Sequence, residues 1–256
     1  DEYIGDYLMG KSKDLATGET RFVNTAGDTM TGNLAINNAS GSQVTLHRTD
    51  TTIANDDLYG QIILSGDDAD TNASGTRGYI RGRSQGTGGG LKMEFGTAGG
   101  GVVMGSDPRM TINADGIVTK PNQPSFHAYK STSGAWQSLG SADTQVVMPL
   151  NNTKHDVGGD WDTSNYRFIA PVAGIYFFAA QIYHDANSYF QVRIRLNGSP
   201  IVFAQNRDQG ITTHATVVYQ LAVNDYVDIT GLISNSDSSD WYDRFDYSYF
   251  CGFLVG

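Results

Sequence analysis

Tyr166-Arg167-Phe168-Ile169-Ala170-Pro171-Val172-Ala173-Gly174-Ile175-Tyr176-Phe177-Phe178 is where the fold is decided. Two apolar and aromatic runs flank a Pro171–Gly174 break, so the stretch reads as two strands joined by a tight turn. Downstream, Val192, Ile194 and Leu196 alternate with Arg193 and Arg195, which gives one face to a core and one to water. Asn197-Gly198 follows at once and is the strongest hairpin signal in the chain. Phe250-Cys251-Gly252-Phe253-Leu254 closes the pattern. Strands are expected at Phe126–Lys130, Thr144–Leu150, Tyr166–Pro171, Gly174–His184, Tyr189–Leu196, Pro200–Gln205, Thr213–Leu221, Asp225–Ile233 and Tyr247–Val255. The fold class is all-β.

Upstream the character changes. Residues 1–28 are polar and weakly patterned. Ile4 and Leu8 share a helical spacing, but Gly5 and Gly10 weaken a helix, so this is a loosely ordered lead-in or a short helix. Across 29–120, Leu91-Lys92-Met93-Glu94-Phe95 alternates strictly, Met110 and Ile112 repeat the pattern against Thr111 and Asn113, and Asp115-Gly116 supplies a turn. Gln43–Thr49, Gln61–Ser65 and Gly78–Arg83 are further candidate strands. So few large apolar residues over so long a segment cannot enclose a core in one chain, and the segment is expected to wind with other copies into a shaft. Pro121-Asn122-Gln123-Pro124 is a stiff joint, and residues 121–256 form a head.

Composition narrows the function. A chain of 256 residues with 31 Gly and only 6 Pro, lacking a Gly-X-Y period, suits short strands and tight turns and excludes collagen. A net charge of −10 argues against nucleic acid and anionic membranes as partners. Cys251 is alone, so no internal disulfide forms. No apolar run is long enough for a membrane helix.

The three opening blocks, with Val223-Asn224-Asp225-Tyr226-Val227, resemble the globular head of the first complement component, of the complement-component-1q type within the tumour-necrosis-factor-like superfamily. Asn224 stands where that family usually has Gly, and Asn tolerates the left-handed backbone the turn requires. The resemblance implies a jelly-roll β-sandwich and a trimeric binding module. Gly27-Asp28-Thr29-Met30-Thr31-Gly32-Asn33-Leu34 resembles an element of bacteriophage tail-fibre proteins. Pro108-Arg109-Met110-Thr111-Ile112-Asn113-Ala114-Asp115-Gly116-Ile117-Val118 resembles one that closes such a shaft. Together they imply an intertwined β-rich trimeric shaft followed by a TNF-like jelly-roll head. The expected protein is a virion tail fibre assembled in the host cytoplasm, joined to upstream tail components and binding a bacterial surface receptor, glycan or protein. A polysaccharide-degrading tail spike and a cellular or spore-surface adhesin are the alternatives.

Site residues follow from these expectations. Strand 174–184 carries rings on both faces, so Tyr176, Phe177, Phe178, Tyr249 and Phe250 are expected at a homotrimer interface, with one of Phe177 and Phe178 facing the sandwich and the other the threefold axis. With the C-terminus returning to the base where the shaft enters, as the resemblance implies, alternating strands put residues 171–174, 196–200 and 221–225 at the base of the head. Residues 151–165, 184–189, 205–213 and 234–246 then form the tip. The tip would present His155, Asp156, Asp160, Trp161, Asp162, His184, Asp185, Asn187, Arg207, Asp208, Asp240, Trp241, Tyr242, Asp243 and Arg244, with Trp161 and Trp241 stacking on ligand.

Catalytic chemistry is not expected. The histidines have no ligand spacing, no G-x-S-x-G elbow is present, and Gly86–Gly90 lacks the Lys of a phosphate loop. Arg77, Arg81 and Arg83 read as a solvated shaft face. The pair Asp160 and Asp162 lacks the β-helical body of polysaccharide-cleaving spikes. No cofactor is expected. Calcium is the one the resemblance admits, through Asp156, Asp160 and Asp162 or Asp237, Asp240 and Asp243, though neither set matches an EF-hand.

Overall fold

The computed structural model describes residues 33–67, 69, 74–99, 107–130, 134–140, 143–186, 189–208, 210–233 and 240–256. The lead-in 1–28 and most of the Gly27–Leu34 element lie outside them. The chain divides into two units, Asp1–His47 and Arg48–Gly256. The described residues are all strand, turn and coil, with no helix. Gln43–Thr49 is not a strand. Val44 and Leu46 are exposed, with no neighbouring ladder to receive their hydrogen bonds.

Five strands run in chain order as one antiparallel sheet: β1 (Leu58–Gly66), β2 (Gly75–Gln85), β3 (Gly90–Thr97), β4 (Met110–Ile112) and β5 (Val118–Thr119). Its ladder bonds are made between successive segments of the chain. Registers Ile62↔Ile80, Ile80↔Phe95 and Phe95↔Met110 collect most of the apolar residues on one face, because side chains alternate with period two. The other face carries a charged cluster beside Ile63 and Tyr79. Glu94 is buried there, with Arg81 at 2.6 Å, Lys92 at 3.2 Å and Arg83 at 3.6 Å, and the Arg81 guanidinium lies 4.1 Å from the Tyr79 ring centre. Arg81 and Arg83 therefore enclose a carboxylate and do not form a free basic patch. On the apolar face, Ile62, Leu64, Ile80, Leu91 and Val118 remain 40–61% exposed, the lowest being Ile80 at 40%. Among the described residues no second layer packs on that face.

Among the described residues thirteen strands make the head: β6 (Ser125–Tyr129), β7 (Trp136–Ser138), β8 (Val146–Val147), β9 (Asn152–Val157), β10 (Trp161–Asp162), β11 (Arg167–Ile169), β12 (Gly174–His184), β13 (Phe190–Leu196), β14 (Ser199–Asn206), β15 (Ile211–Leu221), β16 (Tyr226–Ile233), β17 (Asp240–Tyr242) and β18 (Tyr249–Leu254). One sheet runs β10-β11-β16-β13-β14, with β8 on β16. The other runs β7-β17-β12-β18-β6-β9, with β15 on β12. The turns form as the sequence requires, with positive φ at Asn197 (49°), Gly198 (83°) and Asn224 (68°).

The two sheets enclose an aromatic core. Phe126 stacks on Phe168 of the opposite sheet at 4.8 Å and on Trp161 at 5.0 Å, and meets Phe250 edge-on at 5.1 Å. Tyr176 and Phe178 pack in the same cluster. This corrects the expected subunit interface: Tyr176, Phe178 and Phe250 are fully buried inside one chain, because they share the inward parity of their strands. Phe177 and Tyr249 take the opposite parity and face outward, beside exposed Ile175, Val218 and Phe253.

The base lies where Ser125 pairs with Phe253 and Gly174 with Leu221, and where Asn197 bonds Tyr226 and Asn224 bonds Ala170. Residues 171–174, 196–200 and 221–225 gather there. The expected placement of 151–165 is corrected. Asn152–Val157 forms an edge strand whose Val157 pairs with Ser125, so it carries the chain from the tip back down to the base. Its polar residues hid it, since an edge strand has little to bury.

Core and outward positions give a direct test. Phe178→Ala should cost about 3–5 kcal/mol in urea unfolding, and Phe177→Ala much less when measured on the dissociated chain. The single-layer sheet gives a second. A fragment of residues 43–118 without the head should unfold without a sharp thermal transition, as read by circular dichroism.

Candidate functional site, the tip of the head

At the end opposite the base, β12 hands over to β17. The Asp185 N–H donates to the Asp240 carbonyl at 3.2 Å, and the Asp240 N–H donates to the Asp185 carboxylate at 2.7 Å. Burial, and then the charge of Asp185, push the Asp240 carboxyl upward. Asp185, Arg207, Asp208, Asp240, Tyr242 and Arg244 all lie at this end, by the pairs His184↔Ile211, Phe190↔Asn206 and His184↔Trp241. Asn187 and Asp237 lie outside the described residues.

Several expected contact residues are elsewhere or internal. His155 and Asp156 lie on β9, with Asp156 opposite Phe126 near the base. The Asp156 carboxylate accepts the N–H groups of Asp160 and Trp161. Asp160 faces a 490 Å³ cavity at the base, lined by Pro121, Pro124, Pro171 and Val172 among others. Burial and the Asp156 charge raise its carboxyl. Asp162 spends its oxygens on the turn to Ser164 and Asn165. Asp156, Asp160 and Asp162 do not come together as the calcium idea needed: no group of three or more His, Cys, Asp or Glu among the described residues is placed to hold a metal.

The tryptophans divide unexpectedly. Trp161 is 5% exposed, and its indole N–H donates to the Leu150 carbonyl at 3.0 Å; Trp241 is 1% exposed. Neither can stack on a ligand, because each fills the sandwich on the inward parity of a two- or three-residue strand. Asp243 is also buried, and its carboxylate accepts the Ala135 N–H at 2.7 Å. That bond, returned by the Asp243 N–H to the Ala135 carbonyl at 3.1 Å, fixes the residue that precedes Trp136.

Trp136, which the sequence reading passed over, is 43% exposed. Its ring centre lies 5.1 Å from Tyr242 and 5.5 Å from Tyr183, and Tyr247 lies 5.2 Å from Tyr183 and 5.5 Å from Tyr242. Four rings thus form one outward patch at the tip. The signal was available: a single bulky residue stands in the polar stretch Gly134-Ala135-Trp136-Gln137-Ser138, where only Leu139 follows to enter the core.

His184 is wholly buried at the same end. The Ala186 N–H donates to Nδ1 at 3.3 Å, so Nε2 carries the proton and donates to the Thr213 hydroxyl at 2.9 Å, while the ring stacks on Phe190 at 4.4 Å. Burial lowers its pKa from 6.5 to about 4.

Residues 132–255, just under half of the chain, match the family of C1q domains. Solved structures with similar heads include the globular domain of zebrafish complement 1qA protein, at 18% identity over 52% of this chain and 98% of that one, with a TM-score of 0.40. Eiger TNF from S. frugiperda matches at 8% identity over 53% and 94%, with a TM-score of 0.42. Murine APRIL matches at 10% over 52% and 99%, with a TM-score of 0.43. The head is a jelly-roll sandwich of the C1q-domain kind, and domains of that kind are often trimeric binding modules and generally non-enzymatic.

The pH dependence follows from His184. Its folded pKa lies below the unfolded one, so the unfolded chain binds the proton more readily between the two. Stability is complete above pH 6.5 and falls as pH drops from 6.5 toward 4, by about 3 kcal/mol. Melting curves of wild type and His184→Gln across that range should converge at low pH, the variant showing the shallower slope.

Proposed function

We propose that the chain is the distal part of a bacteriophage tail fibre, a homotrimer whose head adsorbs to a bacterial surface receptor. The observation that carries self-association is a pair of uncovered apolar sheet faces in one acidic chain. One is the face of β1–β5 bearing Ile62, Leu64 and Ile80; the other is the outward face of the head bearing Ile175, Phe177, Val218 and Phe253. Leaving both in water would make the chain aggregate, and three copies packed about one axis cover them. A trimeric state accords with the C1q-type head. The phage assignment rests on the resemblance of Gly27–Leu34 and Pro108–Val118 to tail-fibre elements and on their order ahead of the head. In this reading the protein resides in the virion, joined to upstream tail components after assembly in the host cytoplasm, and the receptor is met by the tip.

Light scattering should give three times the mass of one chain. Phe177→Asp, which places a charge on the outward face and leaves the core intact, should shift that mass toward the monomer at micromolar concentration. A wild-type protein that stays monomeric there sinks the trimer. Labelled protein mixed with a panel of bacterial strains should adsorb to some, and no oligosaccharide should be released from any of them. Adsorption to no strain removes the receptor-binding reading.

A further inference from the structure

The geometry points to a saccharide-binding platform built from Trp136, Tyr183, Tyr242 and Tyr247 at the tip of the head. This deepens the receptor-binding reading and rests on it.

A pyranose ring presents a flat array of C–H bonds on one face and hydroxyls around its rim. It is recognised by an open aromatic surface with hydrogen-bonding groups at the edge. Both parts are present. Trp136 is 43% exposed and Tyr247 is 37% exposed, and Tyr183 and Tyr242 pack against both, with the Arg244 guanidinium over the Tyr247 ring. On the same parity as Tyr242 and Trp136, the pair Asp240↔Ser138 puts a carboxylate and a hydroxyl beside the rings, about 7 Å along the strands.

The platform is rigid before any ligand arrives. Asp243 grips both backbone groups of Ala135, next to Trp136. The Ser248 hydroxyl accepts the Tyr183 N–H at 3.1 Å, and the Gln181 amide donates to the Tyr247 carbonyl at 3.0 Å. Rings held this way lose little freedom on binding.

Electrostatics select among ligands for aromatic surfaces. A ring cluster can also cage a quaternary ammonium, but here cations are already in place. The Arg244 guanidinium lies 5.2 Å from the Tyr247 ring centre, and the Lys130 ammonium lies 5.8 Å from that of Trp241 behind the patch. A second cation would be repelled, whereas a neutral sugar is not. The other occupant to weigh is a neighbouring copy of the chain, since the patch continues the outward face of the sheet.

The three tryptophans make the test direct, because two are buried. Acrylamide quenching of the full chain should be dominated by Trp136. It should fall as galactose, N-acetylglucosamine, lactose or chitobiose is titrated in. Trp136→Ala should abolish that change and weaken binding, followed by calorimetry, by about tenfold or more, with unaltered mass and melting temperature. If the variant melts early, the wild-type quenching titration decides alone. A Trp136 that is shielded in the sugar-free oligomer and quenchable only after dissociation makes the neighbouring copy the occupant and overturns the proposal. So does a quenchable Trp136 that no sugar protects. Cell adsorption separates the two levels: full adsorption by Trp136→Ala overturns the platform and leaves receptor binding standing. Absent wild-type adsorption overturns receptor binding, while the sugar titration still judges the platform.

Discussion

The ring of Phe126 ties the head together. It sits on the first head strand, stacks across the sandwich on Phe168 and Trp161, and meets Phe250 of the last strand in its own sheet. Each such aromatic pair adds about 0.5–1.5 kcal/mol beyond the area it buries. More is decided than stability. Because β6 and β18 lie side by side, the chain enters and leaves at one end, and every other loop is assigned to base or tip from that pairing. The edge strand β9 takes its place by pairing with β6 in turn, and with it the acidic turn Asp156–Asp162 moves away from the tip.

The same alternation that fills the core exposes what lies opposite it. On β12, Tyr176, Phe178 and Ile182 point inward, and Ile175, Phe177 and Tyr183 therefore point out. A strand cannot bury one parity within a two-layer sandwich without offering the other to a third body. The β1–β5 sheet poses the problem in simpler form. One face carries Glu94 among three cations, and the apolar face has no second layer among the described residues.

Polar groups at the tip divide between architecture and exposure by the same logic. Asp243 and His184 look like surface ligands in a loop-rich segment, yet each satisfies backbone or hydroxyl partners inside the fold. Asp243 holds the backbone beside Trp136, and His184 joins β12 to β15 through Thr213. What remains outward is a small set: the aromatic patch, the Asp185–Asp240 pair and the arginines near them.

The sequence by itself determined the strands whose alternation is strong and the turns whose backbone only Gly or Asn adopts readily. Gly174–His184 was legible to the residue, and Asn197-Gly198 and Asn224 were legible as left-handed turns. It also determined that Phe177 and Phe178 must part company, since neighbours on a strand face opposite ways. Only the tertiary structure decided which of them faces the core, and which tryptophan reaches solvent. Trp161 and Trp241 stand among Asp and Gly in sequence and so resemble surface residues. Short strands β10 and β17 turn them inward, where the sandwich has room for an indole and, for Trp161, a carbonyl for its N–H. Trp136 was illegible for the converse reason. Exposure is a property of parity relative to a partner sheet, and a three-residue strand acquires its parity only when it pairs.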